Sequence, residues 1–266
     1  MTMGASDGRA LPDGRALPDG DVLPLVFLVD YDGTICRVDV LDVILTEHAR
    51  PGWRAFDDAY MDGTIGSRTN LVELLPFLPA DPAPLYATAE RQPHDETFPS
   101  FVGDARAAGV HLEVVSDGYG FHVGHNLARI GVPDLPITTA RLTWTADGPM
   151  LDFPGGDPDC HVCGTCKRAR VLAHQARGRH VAFVGDGMSD RYAAAYADTI
   201  FAKDRLVDVC EAAGIPYVPW VSFDDVSAWL AAVVADPGRL APPRVRPSIC
   251  GAEVWGPGRT TLPPGG

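Results

Sequence analysis

Apolar residues in this chain gather in short continuous runs that end on acids or hydroxyls, and between the runs they recur three or four positions apart. PLVFLVD, Pro24 to Asp30, has core-strand length and closes on a carboxylate, which predicts a buried strand. HLEVVSDG predicts a second strand ending at Ser116, and HVAFVGDG, His180 to Gly187, a third ending in an acid. DTIFAK (Asp198 to Lys203) and PYVPW (Pro216 to Trp220) read as two further short strands. From Val38 to about Arg91 the spacing is helical, through Val40, Ile44 and Leu45, then Phe56 and Tyr60, then Leu71, Leu74 and Leu75; Pro76, Pro79, Pro82 and Pro84 interrupt it. Further helices are expected from Pro99 to Gly109, before an irregular Pro133 to Pro158 stretch, from near Lys167, and over Val221 to Val234.

Strands alternating with helices predict an α/β fold, a mostly parallel sheet of Rossmann-like type with helices on both faces. Ligands bind such sheets outside the carboxyl ends of the strands. Three predicted strands end in chemically useful groups, namely Asp30 with Asp32, Ser116, and Asp186. The topology therefore brings residues from distant positions to one sheet edge.

The ends of the chain read differently. DGRALP occurs at Asp7 to Pro12 and again at Asp13 to Pro18, then as DGDVLP at Asp19 to Pro24. So short a unit, rich in Asp, Gly and Pro, buries no apolar face, so residues 1–24 are expected to be a disordered leader. The domain plan is a core of 25–36 and 99–235, a small helical cap of 37–98 inserted after the first strand, and a Pro/Gly-rich tail of 236–266.

Composition narrows the function. A net charge of −13 argues against a nucleic-acid partner, since phosphate backbones repel acidic surfaces. No apolar stretch is long enough to span a bilayer, and no export signal is visible, so a cytoplasmic setting and no membrane partner are expected. Oligomeric state is not legible.

The acids carry the chemistry. In DYDGT, Asp30 to Thr34, two aspartates two residues apart leave a strand end together. Clustered carboxylates do not all stay ionised cheaply, so a divalent cation is the natural neutraliser, and an all-oxygen set suits magnesium. GDGMSD brings Asp186 and Asp190 to complete that set. Taken singly, each Asp would serve as a helix cap or turn residue; the paired patterns after two apolar runs favour a site.

DYDGTI, Ser116 in VVSDG, Lys167, and GDGMSD resemble, in that order, the four motifs of the haloacid dehalogenase superfamily, over about Leu25 to Leu230. The helical insert, GTIGSR (Gly63 to Arg68), CGTCK and ADTIFAK are similar to its phosphoserine phosphatase-like branch, which includes methionine-salvage phosphatases. That resemblance implies a magnesium-dependent phosphomonoester hydrolase acting on a small phosphorylated metabolite through an aspartyl-phosphate. Asp30 would be the nucleophile and Asp32 the acid–base residue. Ser116, Asp117, Gly118 and Lys167 would bind phosphate, and Asp30, Asp32, Asp186 and Asp190 the metal. The absence of DKTGT and the presence of Asp32 favour hydrolysis over ATPase or dehalogenase chemistry. A phosphotransferase or mutase of the same fold, and a non-catalytic binding protein with a cysteine–metal module, are the alternatives.

Substrate contacts are sought in Glu47, Arg68 and Tyr119, with Phe121 and His122 as further walls; for His122 and His125 the ordinary role is in the core or on a helix surface. Neither a methylthio pocket nor phosphoserine specificity is legible. TTARL, Thr138 to Leu142, also departs from the asparagine-containing sequence common among methionine-salvage members. Cys160, Cys163 and Cys166, with His161 among them, precede Lys167. Thiols at this density suit structural zinc, although only one knuckle is present; a reduced structural cluster is the plainer reading.

Overall fold

The computed structural model describes residues 23–146, 148–240 and 250. The repeat leader and most of the tail, with the readings made on them, lie outside the described residues. The chain begins with β1 (Leu25–Val29), then a wide turn over Tyr31–Ile35. Four helices come next, α1 (Val40–His48), α2 (Arg54–Met61), α3 (Ser67–Leu74) and α4 (Ala83–Glu90). They lead to α5 (Phe98–Ala107), β2 (His111–Tyr119), α6 (Val123–Arg129), β3 (Ile137–Thr145) and β4 (Gly148–Asp152). The remainder is α7 (Lys167–Gln175), β5 (His180–Gly185), α8 (Arg191–Tyr196), β6 (Thr199–Ala202), α9 (Asp204–Ala213), β7 (Val218–Pro219) and α10 (Phe223–Ala235).

The strands form a seven-stranded sheet in the order β4-β3-β2-β1-β5-β6-β7, parallel except for β4. The alternating side chains of β1 explain the two helical layers. Leu25, Phe27 and Val29 join the core that contains Phe98 and Phe101 of α5 and Phe223 and Val226 of α10. Val26 and Leu28 join the opposite core with Val171 of α7, Ala193 to Ala195 of α8 and Leu206 of α9. A strand buried on both faces must be apolar throughout, and β1 is.

Two expectations need correction. The second strand does not end at Ser116; it continues to Tyr119, with a break in its register against β3 between Val115 and Tyr119. The stretch from Pro133 to Pro158 is not irregular throughout, because β3 and β4 pair antiparallel within it. In β3 only Ala140 and Leu142 are buried; Ile137 and Trp144 are half-buried, and threonines and Arg141 fill the rest, so the apolar alternation was too faint to read. Helix ends obey ordinary capping. Asp39 accepts from the amide of Asp42 at the start of α1, and Gly214 closes α9 in the left-handed region at φ 63°.

Candidate active site

β1 and β5 lie side by side, so Asp30 and Asp186 leave adjacent strand ends; the Asp30 amide donates to the Val184 carbonyl at 2.9 Å. Gly33 lets the turn after β1 press directly against Asp186. Its φ is 72°, and a Cβ there would stand 2.1 Å from Asp186 Oδ2, so no other residue fits without displacing that carboxylate. Thr34 Oγ1 donates to Asp186 Oδ1 at 2.7 Å and fixes the carboxylate from the same turn.

Lys167, the first residue of α7, delivers its ammonium into this group. Nζ is 2.7 Å from Asp30 Oδ1, 2.6 Å from Asp190 Oδ1 and 3.0 Å from Ser189 Oγ. Burial alone would depress the lysine, but Asp190 and Asp30 outweigh it and hold it above its usual range. Asp190 is otherwise saturated, its Oδ2 accepting the amides of Asp186 and Gly187 at 3.0 and 3.1 Å. Burial, then Asp190, pushes the Asp30 carboxyl well up despite Lys167. Burial and Asp190 also raise Asp186 to about 6.

The oxygens of Asp30, Asp186 and Asp190 lie within 4.8 Å of one another. One ammonium among three carboxylates leaves two negative charges uncompensated, which is what a divalent cation would balance. The donor set is all oxygen and matches a hard cation such as magnesium.

Asp32 lies one step further out, where Oδ1 accepts the amide of Val40 at 2.9 Å. Burial, then Asp39, raises its carboxyl to about 8, a value that keeps the proton on at neutral pH. On β2, Ser116 is buried and its Oγ accepts the Gly118 amide at 3.3 Å, while Gly118 itself lines the cleft. The Asp117 side chain is a fastening. It accepts Ser67 Oγ of α3 at 2.5 Å and the amide of Thr165 at 2.6 Å, tying helical insert, β2 and the loop before α7 together.

Above these groups is a cleft of about 390 Å³. Its far wall comes from α1, α2 and α3, which contribute Leu41, Leu45, Met61 and Leu71, the acids Asp42 and Asp57, and Tyr60 and Asn70; Arg37, before α1, and Arg205, of α9, also line it. Asn70 is 5% exposed and its Oδ1 has no hydrogen-bond partner among the described residues.

The expected substrate contacts fall elsewhere. Glu47 accepts from Arg91 and Thr88, each at 2.8 Å, because α1 packs on α4 along that side. The Arg68 guanidinium sits over the Phe153 ring at 4.5 Å. Tyr119 is fully buried and its hydroxyl donates to the Leu71 carbonyl. None of the three lines the cleft. Sequence reasoning missed Thr34, Asp57 and Asn70, whose roles depend on how the insert folds back; only Thr34, inside DYDGT, carried a local signal.

Burial holds the thiols of Cys163 and Cys166 in the protonated range, the latter at about 11; Asp117 and the neighbouring Cys166, Cys250 and Cys160 reinforce the shift at Cys163. Among the described residues, the groups with donor atoms within 4.8 Å include neither these cysteines nor His161.

A parallel sheet carrying two acids from adjacent strand ends, a buried lysine between them and a helical insert over the cleft defines a haloacid dehalogenase fold. The chain has that superfamily's fold, and the curated relatives it is similar to are phosphatases. No family model matches the chain. It is similar to the 2-hydroxy-3-keto-5-methylthiopentenyl-1-phosphate phosphatase of an Exiguobacterium species, 27% identical over 221 residues, covering 77% of this chain and 97% of the relative. The enzyme of the same name from Geobacillus kaustophilus is 29% identical over 215 residues, 76% of this chain and 93% of its own. In fold it is similar to a phospho-aspartyl intermediate analogue of phosphoserine phosphatase, with TM-score 0.56 and 16% identity over 77% of this chain and 98% of that one. A HAD family hydrolase from Salmonella enterica gives TM-score 0.61 and 17% identity, covering 80% and 73%.

Proposed function

We propose that this enzyme hydrolyses a small phosphomonoester through an aspartyl-phosphate on Asp30, with magnesium as its cation. The observation that carries the reading is the buried ammonium of Lys167 at 2.7 Å from Asp30, beside Asp186 and under a cleft that Asp32 also lines. Asp30 and Asp186, with the backbone carbonyl of Asp32, would hold the ion, and Asp190 would brace them. When bound, magnesium neutralises charge on the nucleophile and on the phosphoryl oxygens.

Asp30 attacks phosphorus and displaces the alkoxide. Asp32, protonated at neutral pH, gives its proton to that oxygen and then takes one from the water that hydrolyses the acyl phosphate. Lys167, the Ser116 hydroxyl and the amides of Asp117 and Gly118 offset charge spread over the phosphoryl group. The insert 37–98 acts as the cap, excluding water and reading the leaving group.

The cap wall bears on the substrate. The charged residues that the three cap helices bring to the cleft are acids, with Arg37 and Arg205 elsewhere in its lining, so these helices offer no cation to a leaving group that carries a carboxylate, such as phosphoserine. Leu41, Leu45, Met61 and Leu71 suit an apolar chain, and the unpartnered Asn70 Oδ1 suits a hydroxyl. A hydroxylated, methylthio-bearing leaving group like the one in the relatives' name fits both.

Two assays test this, magnesium-dependent hydrolysis of p-nitrophenyl phosphate and a screen of phosphorylated metabolites that includes the methylthiopentenyl phosphate and phosphoserine. Turnover is expected in the wild type, lost with chelator and in Asp30→Asn. Retained turnover in Asp30→Asn would remove the nucleophile, and preference for phosphoserine would overturn the reading of the cap.

A further inference from the structure

His122 is the residue with the least local explanation. It precedes α6, is 0% exposed, and neither ring nitrogen has a hydrogen-bond partner among the described residues. Leaving a buried polar group unpaired costs stability, so a fold that keeps one without a use is at a disadvantage. The rings of Phe121 and Tyr31 flank the imidazole at 5.0 and 5.6 Å between centroids, and neither supplies an acceptor to it. The Tyr31 hydroxyl is engaged elsewhere, with Asn126 and His94, each at 2.9 Å.

The acid that it approaches is Asp32. Nε2 of His122 is 3.9 Å from Asp32 Oδ1, the oxygen that already accepts the Val40 amide at 2.9 Å. The other oxygen, Oδ2, lies towards Gly118, where an added Cβ would be 3.3 Å from it. The two oxygens thus have different surroundings, Oδ1 turned to the protein and Oδ2 to the cleft wall.

We propose that His122 is a positioning residue for Asp32, a neutral imidazole whose Nε2–H closes on Oδ1 as the carboxyl gives up its proton from Oδ2 to the leaving oxygen. The inference rests on the reading of Asp32 as the acid–base residue. The requirement it meets is specific. A buried acid that loses its proton becomes a buried carboxylate, and stabilising that product lowers the barrier to proton transfer. A charged partner would hold Asp32 ionised beforehand and spoil the acid, whereas a neutral donor strengthens only as the charge appears. The imidazole is fully buried with no hydrogen-bonded partner among the described residues, an environment that disfavours its charged form.

The need for a proton depends on the leaving group, and this separates positioning from mere packing. For p-nitrophenyl phosphate the departing phenolate needs almost no acid; for p-methoxyphenyl phosphate it needs much more. Across an aryl phosphate series, wild-type kcat/KM should vary little. In His122→Phe, which fills the space without nitrogen, kcat/KM for the p-methoxyphenyl ester should fall about ten-fold relative to the p-nitrophenyl ester, a part of the roughly 10²–10⁴-fold that general acid catalysis supplies. His122→Gln, which keeps an N–H, should recover most of that ratio, and retained p-nitrophenyl turnover shows that each variant is folded. Equal losses on both esters, or no change in the ratio, would overturn the inference while leaving the phosphatase reading intact. A wild type inactive on the whole series would remove both.

Discussion

Glu113 offers the sharpest test of how the site is held. It sits on β2, buried, and its carboxylate is clasped by α7. Arg170 Nε and Nη2 donate to its two oxygens at 2.8 and 2.7 Å, His174 Nε2 lies 3.0 Å from Oε2, and Thr138 Oγ1 donates to Oε1 at 2.5 Å. Burial alone would raise this carboxyl, but the hydrogen bonds from His174, Arg170 and Thr138 and the charge of Arg170 carry it down from 4.5 to about 2. At about 1.4 kcal/mol per tenfold change in proton affinity, the ionised form is favoured in the fold by about 3 kcal/mol. Because the folded value is the lower one, that stability is complete above pH 4.5 and drains away as pH falls towards 2. Glu113→Gln keeps the shape and removes the charge. The variant should be less stable than wild type by about 3 kcal/mol at pH 7, narrowing to about 1.4 kcal/mol at pH 3. Urea unfolding at pH 7, 5 and 3 measures the difference, and subtracting the variant cancels the titration of the other acids. A gap that is the same at pH 7 and pH 3, or below about 1 kcal/mol throughout, would refute the assignment. Since Lys167 opens the helix that Glu113 clasps, the variant should also lose turnover before it loses its fold.

Lys167→Met should lower kcat for p-nitrophenyl phosphate by about 10²-fold or more, since it removes the ammonium shared by Asp30 and Asp190; steady-state kinetics with circular dichroism as the folding check decide it, and a loss under five-fold would contradict the role. Asn70→Leu should raise KM about five- to ten-fold for a hydroxyl-bearing substrate that uses the vacant Oδ1, and leave KM for p-nitrophenyl phosphate within two-fold. Equal shifts for both substrates would mean that the residue only shapes the cap.

What was legible in the sequence was what depends on period and on local motif. The apolar runs at Leu25 to Val29 and His180 to Gly185 announced buried strands because both faces of a central parallel strand must be apolar. The acids just beyond them announced a cleft because parallel strands deliver their ends to one edge. The hairpin of β3 and β4 was hidden, since threonine suits a half-exposed strand and a loop equally well. The cap residues were misjudged for another reason. Glu47 and Arg68 were picked for their charge alone, whereas the facing of each cap helix is decided by partners far along the chain, Arg91 and Phe153. Asp57 and Asn70 face the cleft for the same long-range reason.

Two clusters of the described residues have the donor spacing of a metal site, and only one is a credible one. His111, Glu113 and His174 look the part by residue type. Yet every oxygen of Glu113 is already occupied, and Arg170 brings the positive charge that an ion would bring. A cation there would have to displace a bidentate pair, so the cluster reads as a brace between β2 and α7. Asp30, Asp186 and Asp190 share a single lysine, and two of the three carboxyls are pushed up by their confinement. Compensation is complete in the first cluster and deficient in the second, and the deficit opens onto the cleft. Residue type proposes a metal site; the uncompensated charge is what selects between the two.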